Sequence, residues 1–185
     1  MNTERVYGWA KQPEDKRDFK FQVSQSLELP KRIDLRDKMP DAYDQSTLGS
    51  CTGNGIAAII HYQYLKAGTT GFMPSRLFIY YNERVIENTV KEDAGANIRD
   101  GIYSVNKQGV CNETTWAYDI KKFAKKPSVK AYKEAKLHKS LKYEAVHQTE
   151  NDIKSALALG NPVVFGFLVK ESFESLVTSK TGNYQ

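Results

Sequence analysis

The stretch that decides the fold is DQSTLGSCTGNGIAAII, residues 44–60. Within it, Cys51 lies among small residues just before an apolar pattern that recurs every four positions, as at Ile56 and Ile60. That spacing predicts one apolar face of a helix, and the hydroxyl residues on either side of the cysteine can cap the helix start. The stretch therefore predicts a helix whose first turn carries a thiol, six positions after the carboxamide of Gln45.

A cysteine in this position is suited to nucleophilic chemistry. The N–H groups and partial positive charge of a helix start stabilise a thiolate and lower a cysteine pKa from about 8.5. The small residues at 49–53 let a substrate backbone approach closely and leave the sulfur open. The oxyanion formed by thiolate attack needs donors, and the Cys51 N–H and the Gln45 carboxamide are candidates. The alternative is a buried, inert cysteine, because free Cys is among the most buried residue types.

Composition limits the classes of protein to consider. The chain has 185 residues, of which 40% are hydrophobic, which suffices for one domain or two small lobes. Nine lysines fall between Lys121 and Lys142 with Glu134 as the only acid. This lysine-rich segment (residues 121–142) predicts a solvated, partly helical face, with an acidic partner or nucleic acid as the alternative. Its few aromatic residues argue against stacking on single strands, so no nucleic-acid partner is expected.

The two cysteines and the apolar stretches point to a soluble chain. Cys51 and Cys111 cannot form a multi-bridge framework, and Cys111 is predicted to be a core residue. The N-terminus MNTERVYGW lacks the apolar region of a secretory signal. No stretch approaches the roughly 20 apolar residues of a membrane span, and no Cys/His spacing matches a metal site. We predict a cytoplasmic protein with no disulfide, membrane contact, metal or cofactor.

The rest of the chain separates helices from strands. Two further helices are predicted, one from Ser75 and one over 99–107. Beyond the lysine-rich segment, 142–149 alternates like a strand, 150–160 predicts a short helix, and PVVFGFLV at 162–169 predicts a buried strand. Helices first and strands later indicate an α+β protein with two lobes.

The order Gln45 and then Gly49-Ser50-Cys51 at a helix start resembles the papain-like cysteine peptidase family, in its bacterial and viral branch. Four further segments resemble the family: DLR, PSRLFIYYNER, GANIRDGIYSVNKQGVCNETTWAYD and LALGNPVVFGFLV. The likeness runs from about residue 33 to 185, with the lysine-rich segment as an insertion-like departure. It implies a papain-like two-lobe fold in which the helical first lobe is present and the β-rich second lobe is only begun.

The resemblance also assigns roles. It makes Cys51 the nucleophile and Gln45 the oxyanion donor, and it aligns Gly95 and Ala96 with the glycines that pair with the substrate backbone. Ala96 departs from the second glycine, and Leu48 replaces a disulfide cysteine. The implied activity is hydrolysis of a peptide or protein substrate through an acyl-thioester. The alternatives are a non-catalytic binding or inhibitory domain, or an acyltransferase or deamidase on the same scaffold.

A papain-like thiol needs a histidine base, and none of the three histidines suits the role. His61 lies ten positions along the Cys51 helix, about 15 Å away. His138 falls in the basic run, where it is expected to be solvated, and His147 falls in the alternating segment. In the family the histidine follows the nucleophile by about 130–150 residues. We therefore expect a truncated chain, inactive alone, whose base and orienting Asn lie beyond Gln185 or on a second chain.

The chain divides into three predicted parts: an N-terminal extension (1–33), a helical lobe with the nucleophile (34–120), and the basic insertion with the start of the β-rich lobe (121–185). Residues 1–31, here called the N-terminal arm, are polar and charged with Trp9, Phe19 and Phe21 as isolated anchors. The arm is predicted to be an inhibitory leader that crosses the cleft. The alternative is an arm that only packs on the far lobe.

Overall fold

The structure is a computed structural model, which describes residues 7–11, 13–16, 18–23, 28–140 and 142–182. Its helices are α1 (Cys51–Lys66), α2 (Arg76–Glu87), α3 (Ile98–Gln108), α4 (Val129–Ala135), α5 (Glu150–Ala158) and α6 (Leu176–Thr181). Short 3-10 turns occupy Arg36–Lys38, Ile120–Lys122 and Glu171–Glu174. Over these described ranges, β pairing is limited to three isolated bridges, Trp9–Ala96, Lys20–Ala145 and Pro74–Asn112. The result is the expected helical lobe, followed by mostly extended chain where the β-rich lobe is predicted to begin.

Helix α1 begins at Cys51, as the periodicity predicts. Its N-cap, Ser50, does not cap with its side chain, because the Ser50 hydroxyl is hydrogen-bonded to the hydroxyl of Tyr118. The first turn is held by Asn54, whose backbone N–H and side-chain Nδ2 donate to the Ser50 carbonyl at 3.0 and 2.9 Å. Ile56 lies in the core where α1 packs on α2 and α3. The start of α1 is therefore fixed from several sides.

Helix α2 is buried around its whole circumference over residues 77–84. The side chain of Ser75 caps it, because Ser75 Oγ accepts a hydrogen bond from the Phe78 N–H at 3.2 Å. The same hydroxyl donates to the Trp116 carbonyl at 2.6 Å. This confirms the helix start predicted at Ser75 and places α2 at the centre of the lobe.

Arg84 is a buried cation on α2 that organises the following loop. Its guanidinium donates to the carbonyls of Val90 (2.9 Å) and Glu92 (3.0 Å), and also to that of Phe123. A buried charge is tolerated only when its donors are satisfied, as they are here. These bonds set the path of the chain that leads to Gly95.

Replacing Ser75 with alanine should lower the free energy of unfolding by about 1–2 kcal/mol, because the cap is lost and a buried carbonyl loses its donor. The matched control is Thr149→Ala, which removes the exposed cap of α5 at the Asp152 N–H. Urea unfolding should show the larger loss for Ser75. Equal losses would mean that the bond to Trp116 contributes nothing.

The second half of the chain departs from two predictions. Residues 142–149 form no strand, and pair only at Ala145, which bonds to the arm residues Phe19 and Phe21. The predicted buried strand at 162–169 is also wrong here, since Phe165 is 73% exposed. A strand needs a hydrogen-bonded neighbour and a covering layer, and no described segment forms a ladder with 162–169. Helix α5 is confirmed.

The lysine-rich segment is partly helical, as predicted, and it packs through small residues. Ala131 and Ala135 of α4 are fully buried in the same core as α1 and α2. Glu134 also turns inward, and its Oε1 accepts from the Asn112 N–H at 3.0 Å. Most of the lysines lie on the outside.

Both cysteines are free thiols. Cys111 is fully buried, as predicted for a core residue, and burial raises its pKa to about 12. Among the residues that the structure describes, no group of three or more His, Cys, Asp or Glu side chains could hold a metal ion. Within the same ranges, no helix combines the length and apolar character needed to cross a bilayer.

Candidate active site

The structure places Cys51, Gly49 and Gly95 around one point of the N-terminal arm, the backbone of Gly8. A side chain at Gly8 would put its Cβ 2.0 Å from the Gly49 carbonyl oxygen and 2.7 Å from the Gly95 Cα. The Gly8 backbone N–H is near enough to the Cys51 sulfur to favour its thiolate and so to oppose the increase in its pKa. The start of α1 and the loop at 95–96 therefore form two sides of a cleft with the half-buried sulfur between them.

Asp93 and Tyr80 tie the two sides of this cleft together. The Asp93 carboxylate accepts from the Gly49 N–H at 2.9 and 3.1 Å, and it also accepts from the Tyr80 hydroxyl. That hydroxyl in turn accepts from the Gly95 N–H at 3.2 Å. Neither residue is predicted from the sequence, because Asp93 lies 44 positions from Gly49 and no local motif marks it.

The small residues around the thiol serve different purposes from the one expected. The Gly49 carbonyl faces Gly8 of the arm, in agreement with close backbone approach, although a Cβ at Gly49 would meet the Asp93 carboxylate at 3.1 Å. Thr52 and Gly53 are buried against α2, where a Cβ at Gly53 would lie 2.9 Å from the Arg76 carbonyl oxygen. Ser50 is buried and bonded to Tyr118. These contacts correct the interpretation that all of the small residues open the sulfur to substrate.

The expected lowering of the thiol pKa is not observed in this structure. Burial raises the pKa of Cys51. The backbone N–H groups of Gly8, Thr52 and Cys51 itself oppose the increase, and the nearby Glu83 carboxyl adds to it. The helix start does supply donors to the sulfur, but desolvation outweighs them because the arm and α2 cover the thiol.

Gln45 is held in the loop that leads to Gly49. Its side-chain Nε2 donates to the Leu48 carbonyl at 3.0 Å, and its own carbonyl accepts from the Tyr118 hydroxyl at 2.8 Å. A carboxamide nitrogen carries two hydrogens, and the bond to Leu48 fixes the direction of the second. The role of Gln45 as an oxyanion donor remains a prediction.

Ala96 pairs with the arm through both of its backbone groups. The Ala96 N–H donates to the Gly8 carbonyl at 2.8 Å, and the Ala96 carbonyl accepts from the Ala10 N–H at 3.1 Å. The methyl group replacing the second glycine does no harm, because Ala96 is fully buried in a core cluster with Leu48 and Tyr80. Gly95 needs its glycine, since its φ is +71° and a Cβ would lie 1.7 Å from the Gly8 oxygen.

Other residues of the N-terminal arm hold the arm against the lobe. The Trp9 ring covers Gly166, where a Cβ would lie 2.1 Å from the ring. Asp18 forms an ion pair with Arg99 of α3 at 2.7 Å. Phe19 is only a weak anchor, since it is 66% exposed. Its ring meets the Tyr143 ring edge to face with centroids 6.0 Å apart, and its carbonyl accepts from the Ala145 N–H.

Each of the three histidines has its contacts away from the thiol. His61 Nδ1 is hydrogen-bonded to the Tyr43 hydroxyl at 2.7 Å, and burial lowers the pKa of His61. His147 Nδ1 lies 3.4 Å from Asp152 Oδ2.

His138 is not solvated as expected. It stacks on Phe72 with ring centroids 4.0 Å apart and bonds to the Tyr64 hydroxyl at 2.7 Å. Its backbone carbonyl accepts from Val110, which turns this end of the lysine-rich segment onto the lobe.

Comparison with known proteins places this arrangement in a family, although no family model matches the chain. The chain is 45% identical over 205 aligned positions to an uncharacterized peptidase C1-like protein of Acanthamoeba polyphaga mimivirus, a match covering 96% of this chain and 66% of that protein. The structure also superimposes on xylellain, a cysteine protease from Xylella fastidiosa, with a TM-score of 0.76 and 39% identity. That match covers 86% of this chain and 66% of xylellain.

A third similarity concerns the fold alone. Digestive procathepsin L 3 of Tenebrio molitor larval midgut matches with a TM-score of 0.60 at 16% identity, over 76% of this chain and 45% of that one. The first long helix of the lobe begins with a cysteine, and that helix start faces a loop that pairs with extended peptide. These features define a papain-fold domain. The chain belongs to the papain-like cysteine peptidase family. It spans 66% of the length of both its mimivirus relative and xylellain.

Proposed function

We propose that the parent protein of this chain hydrolyses peptide bonds through an acyl-thioester on Cys51. One observation carries the proposal. Extended backbone at residues 8–10 pairs with the N–H and the carbonyl of Ala96, and the Gly8 backbone lies against Gly49, two residues before the thiol. This pairing supports a cleft that takes a polypeptide main chain next to the thiol, as a peptidase must do.

The chemistry follows from the groups around the sulfur. The general base takes the proton of the Cys51 thiol, and the resulting thiolate adds to the carbonyl carbon of the scissile bond. The oxyanion accepts hydrogen bonds from the Cys51 N–H and the Gln45 carboxamide. The intermediate collapses to a thioester as the amine leaves with a proton from the general base. Water, deprotonated by the same base, then releases the acid and restores the thiol.

The general base comes from outside the three histidines of this chain. His61, His138 and His147 each contact groups remote from Cys51. We propose that a histidine oriented by an asparagine is supplied by another segment of the parent protein or by a second chain. The 185-residue chain alone should then be inactive as a peptidase.

The test uses the complete gene product and an epoxysuccinyl peptide, which alkylates a nucleophilic thiol. We expect stoichiometric labelling located at Cys51 by mass spectrometry, together with turnover of peptide substrates. A product assay with an added amine or acyl acceptor separates hydrolysis from acyl transfer. Absence of both labelling and turnover in the folded protein would overturn the proposal.

Deleting the N-terminal arm should accelerate labelling of Cys51. The arm occupies the peptide site next to the sulfur, so it competes with substrate at the effective concentration of a tethered ligand. An effective concentration of about 1 mM and an affinity of about 0.1 mM would give roughly a tenfold increase. The readout is the second-order rate of epoxide labelling for the complete gene product with and without residues 1–31.

Point variants separate displacement of the arm from other effects of truncation. Gly8→Ala places a Cβ against the Gly49 oxygen and should raise the labelling rate, whereas Gly71→Ala, with open space around it, should not. Trp9→Ala should act in the same direction as Gly8→Ala, and Phe19→Ala should have little effect. If deletion of residues 1–31 leaves the rate of Cys51 labelling unchanged, the arm only packs on the lobe and does not compete with substrate.

The runner-up function is a non-catalytic binding domain on the peptidase fold. It is favoured by the lysine-rich segment, whose single acid, Glu134, is turned inward to Asn112 and leaves an outer face of exposed lysines. Such a face fits an acidic protein partner. The test is binding of polyglutamate, which should be lost when Lys130, Lys133 and Lys136 are changed to Gln. Peptide turnover by the complete gene product would exclude a non-catalytic domain.

A further inference from the structure

Glu83 is a buried carboxyl that contacts the turn bearing the nucleophile. It belongs to α2, is fully inaccessible to solvent, and accepts a hydrogen bond at its Oε1 from the hydroxyl of Thr52 at 2.7 Å. Thr52 is also buried and directly follows Cys51 in the first turn of α1. The Glu83 carboxyl is therefore bonded to the residue next to the nucleophile.

The carboxyl has little room to move. A Cβ at Gly101 of α3 would lie 2.4 Å from Glu83 Oε2 and 2.4 Å from the Ile56 methyl group, so α3 presses its backbone onto the carboxyl. Among the described residues, Glu83 Oε2 has no hydrogen-bond partner. A buried acceptor without a partner is costly, and a carboxyl that keeps its proton avoids the larger cost of a buried charge.

The surrounding charges favour the neutral form. Burial raises the pKa of Glu83 to about 8, with a further increase from nearby carboxylates, while the Thr52 hydroxyl and Arg84 act in the opposite direction. The Arg84 guanidinium is committed to three loop carbonyls. The groups that face Glu83 are Cys51 and Thr52 from α1, Arg84 and Glu87 from α2, and Asp100 from α3.

We propose that Glu83 is a positioning residue for Cys51: its neutral carboxyl holds Thr52 and thereby the sulfur, and its ionisation places a negative charge behind the sulfur that disfavours the thiolate. The inference rests on the proposed function only in taking Cys51 as a nucleophile. The experiment that tests it does not depend on that function. Alkylation of a thiol by iodoacetamide requires no general base and no peptide substrate.

The experiment measures the alkylation rate of Cys51 in the 185-residue chain from pH 6 to 10, with the modified residue identified by mass spectrometry. Cys111 is fully buried and serves as the internal unreactive thiol. In the unmodified chain the rate should rise less steeply above pH 8, because Glu83 ionises there. Glu83→Gln, which keeps the acceptor oxygen and stays neutral, should react about 3- to 10-fold faster at pH 9, as for a thiol pKa lowered by 0.5 to 1 unit.

Three variants define the coupling. Thr52→Val, which removes the hydroxyl but keeps the shape, should change the alkylation profile, and Thr52→Ser should restore it. Glu150→Gln, at an exposed carboxyl of α5 that is not among the groups acting on Glu83, is the matched control and should leave the profile unchanged. Identical profiles for Glu83→Gln and the unmodified chain would overturn the proposal, as would an equal shift in Glu150→Gln.

A second measurement guards against a variant that fails to fold. Because the folded-state pKa of Glu83 is raised, the folded chain binds a proton that the unfolded chain releases. The contribution of Glu83 to stability is therefore complete below the ordinary carboxyl pKa and declines as pH rises to about 8. Urea unfolding of the unmodified chain should show this decline, and a flat profile would count against a neutral Glu83. If the complete gene product turns over no peptide but Glu83→Gln still alters the alkylation profile of Cys51, this proposal stands and the proposed peptidase function is rejected.

Discussion

Cys51→Ala should abolish both epoxide labelling and peptide turnover by the complete gene product. The thiol is the only group proposed to form the covalent intermediate, and removal of a nucleophile from a catalytic unit typically costs at least about 10⁴-fold in kcat. The residual rate should equal that of a water reaction assisted by binding alone. Rates of hydrolysis and the mass of the labelled protein are the two measurements.

The matched control for this variant is Cys111→Ala. Both residues are free cysteines, but Cys111 is fully buried in the core and its raised pKa keeps it as a thiol. Activity within about twofold of the unmodified protein is expected, because a buried thiol behaves as a small apolar residue. Labelling of Cys51→Ala at the original rate would remove the basis for the peptidase proposal.

Gln45→Ala should reduce kcat by about 10²–10³, the usual loss when one oxyanion donor is removed. KM should change little, since the donor bonds to charge that develops in the transition state. Gln45→Glu should show a similar loss, because a carboxylate has the shape of the carboxamide but cannot donate when ionised. Steady-state kinetics of the complete gene product provide both constants.

Gln63→Ala is the control for loss of a carboxamide, since Gln63 lies on the exposed face of α1. It should be indistinguishable from the unmodified protein. A loss smaller than about threefold in Gln45→Ala would show that the bond from Gln45 Nε2 to Leu48 is purely structural. In that case the oxyanion would depend on the Cys51 N–H alone.

The helices were the most predictable part of this chain. The four-residue repeat at Ile56 and Ile60 located α1, and the helix predicted from Ser75 is α2, which Ser75 does cap. Both signals are local, because a helix satisfies its own hydrogen bonds within a few residues. Strand prediction failed at 162–169 for the opposite reason, since a strand depends on partners that its own residues cannot supply.

The site shows the same division. The sequence predicted the cysteine at the start of α1. The family resemblance assigned Gly95 and Ala96 to pairing with substrate, and that role stays a prediction. The sequence could not predict the tie between Gly49 and Asp93, because that bond joins residues 44 positions apart. It also predicted the wrong direction for the thiol pKa, because a helix start argues only for stabilisation of the thiolate.

By itself, the sequence determined which residue carries the thiol, which helix begins there and which family the chain resembles, because those properties depend on neighbouring positions. Only the tertiary structure decided how the thiol is surrounded, since Gly8 of the arm packs against Gly49 and the Glu83 carboxyl bonds to the neighbouring Thr52, both from distant parts of the chain. Desolvation depends on every group packed around an atom, whatever its position in the sequence. The charge state of Cys51 is therefore a property of the folded lobe.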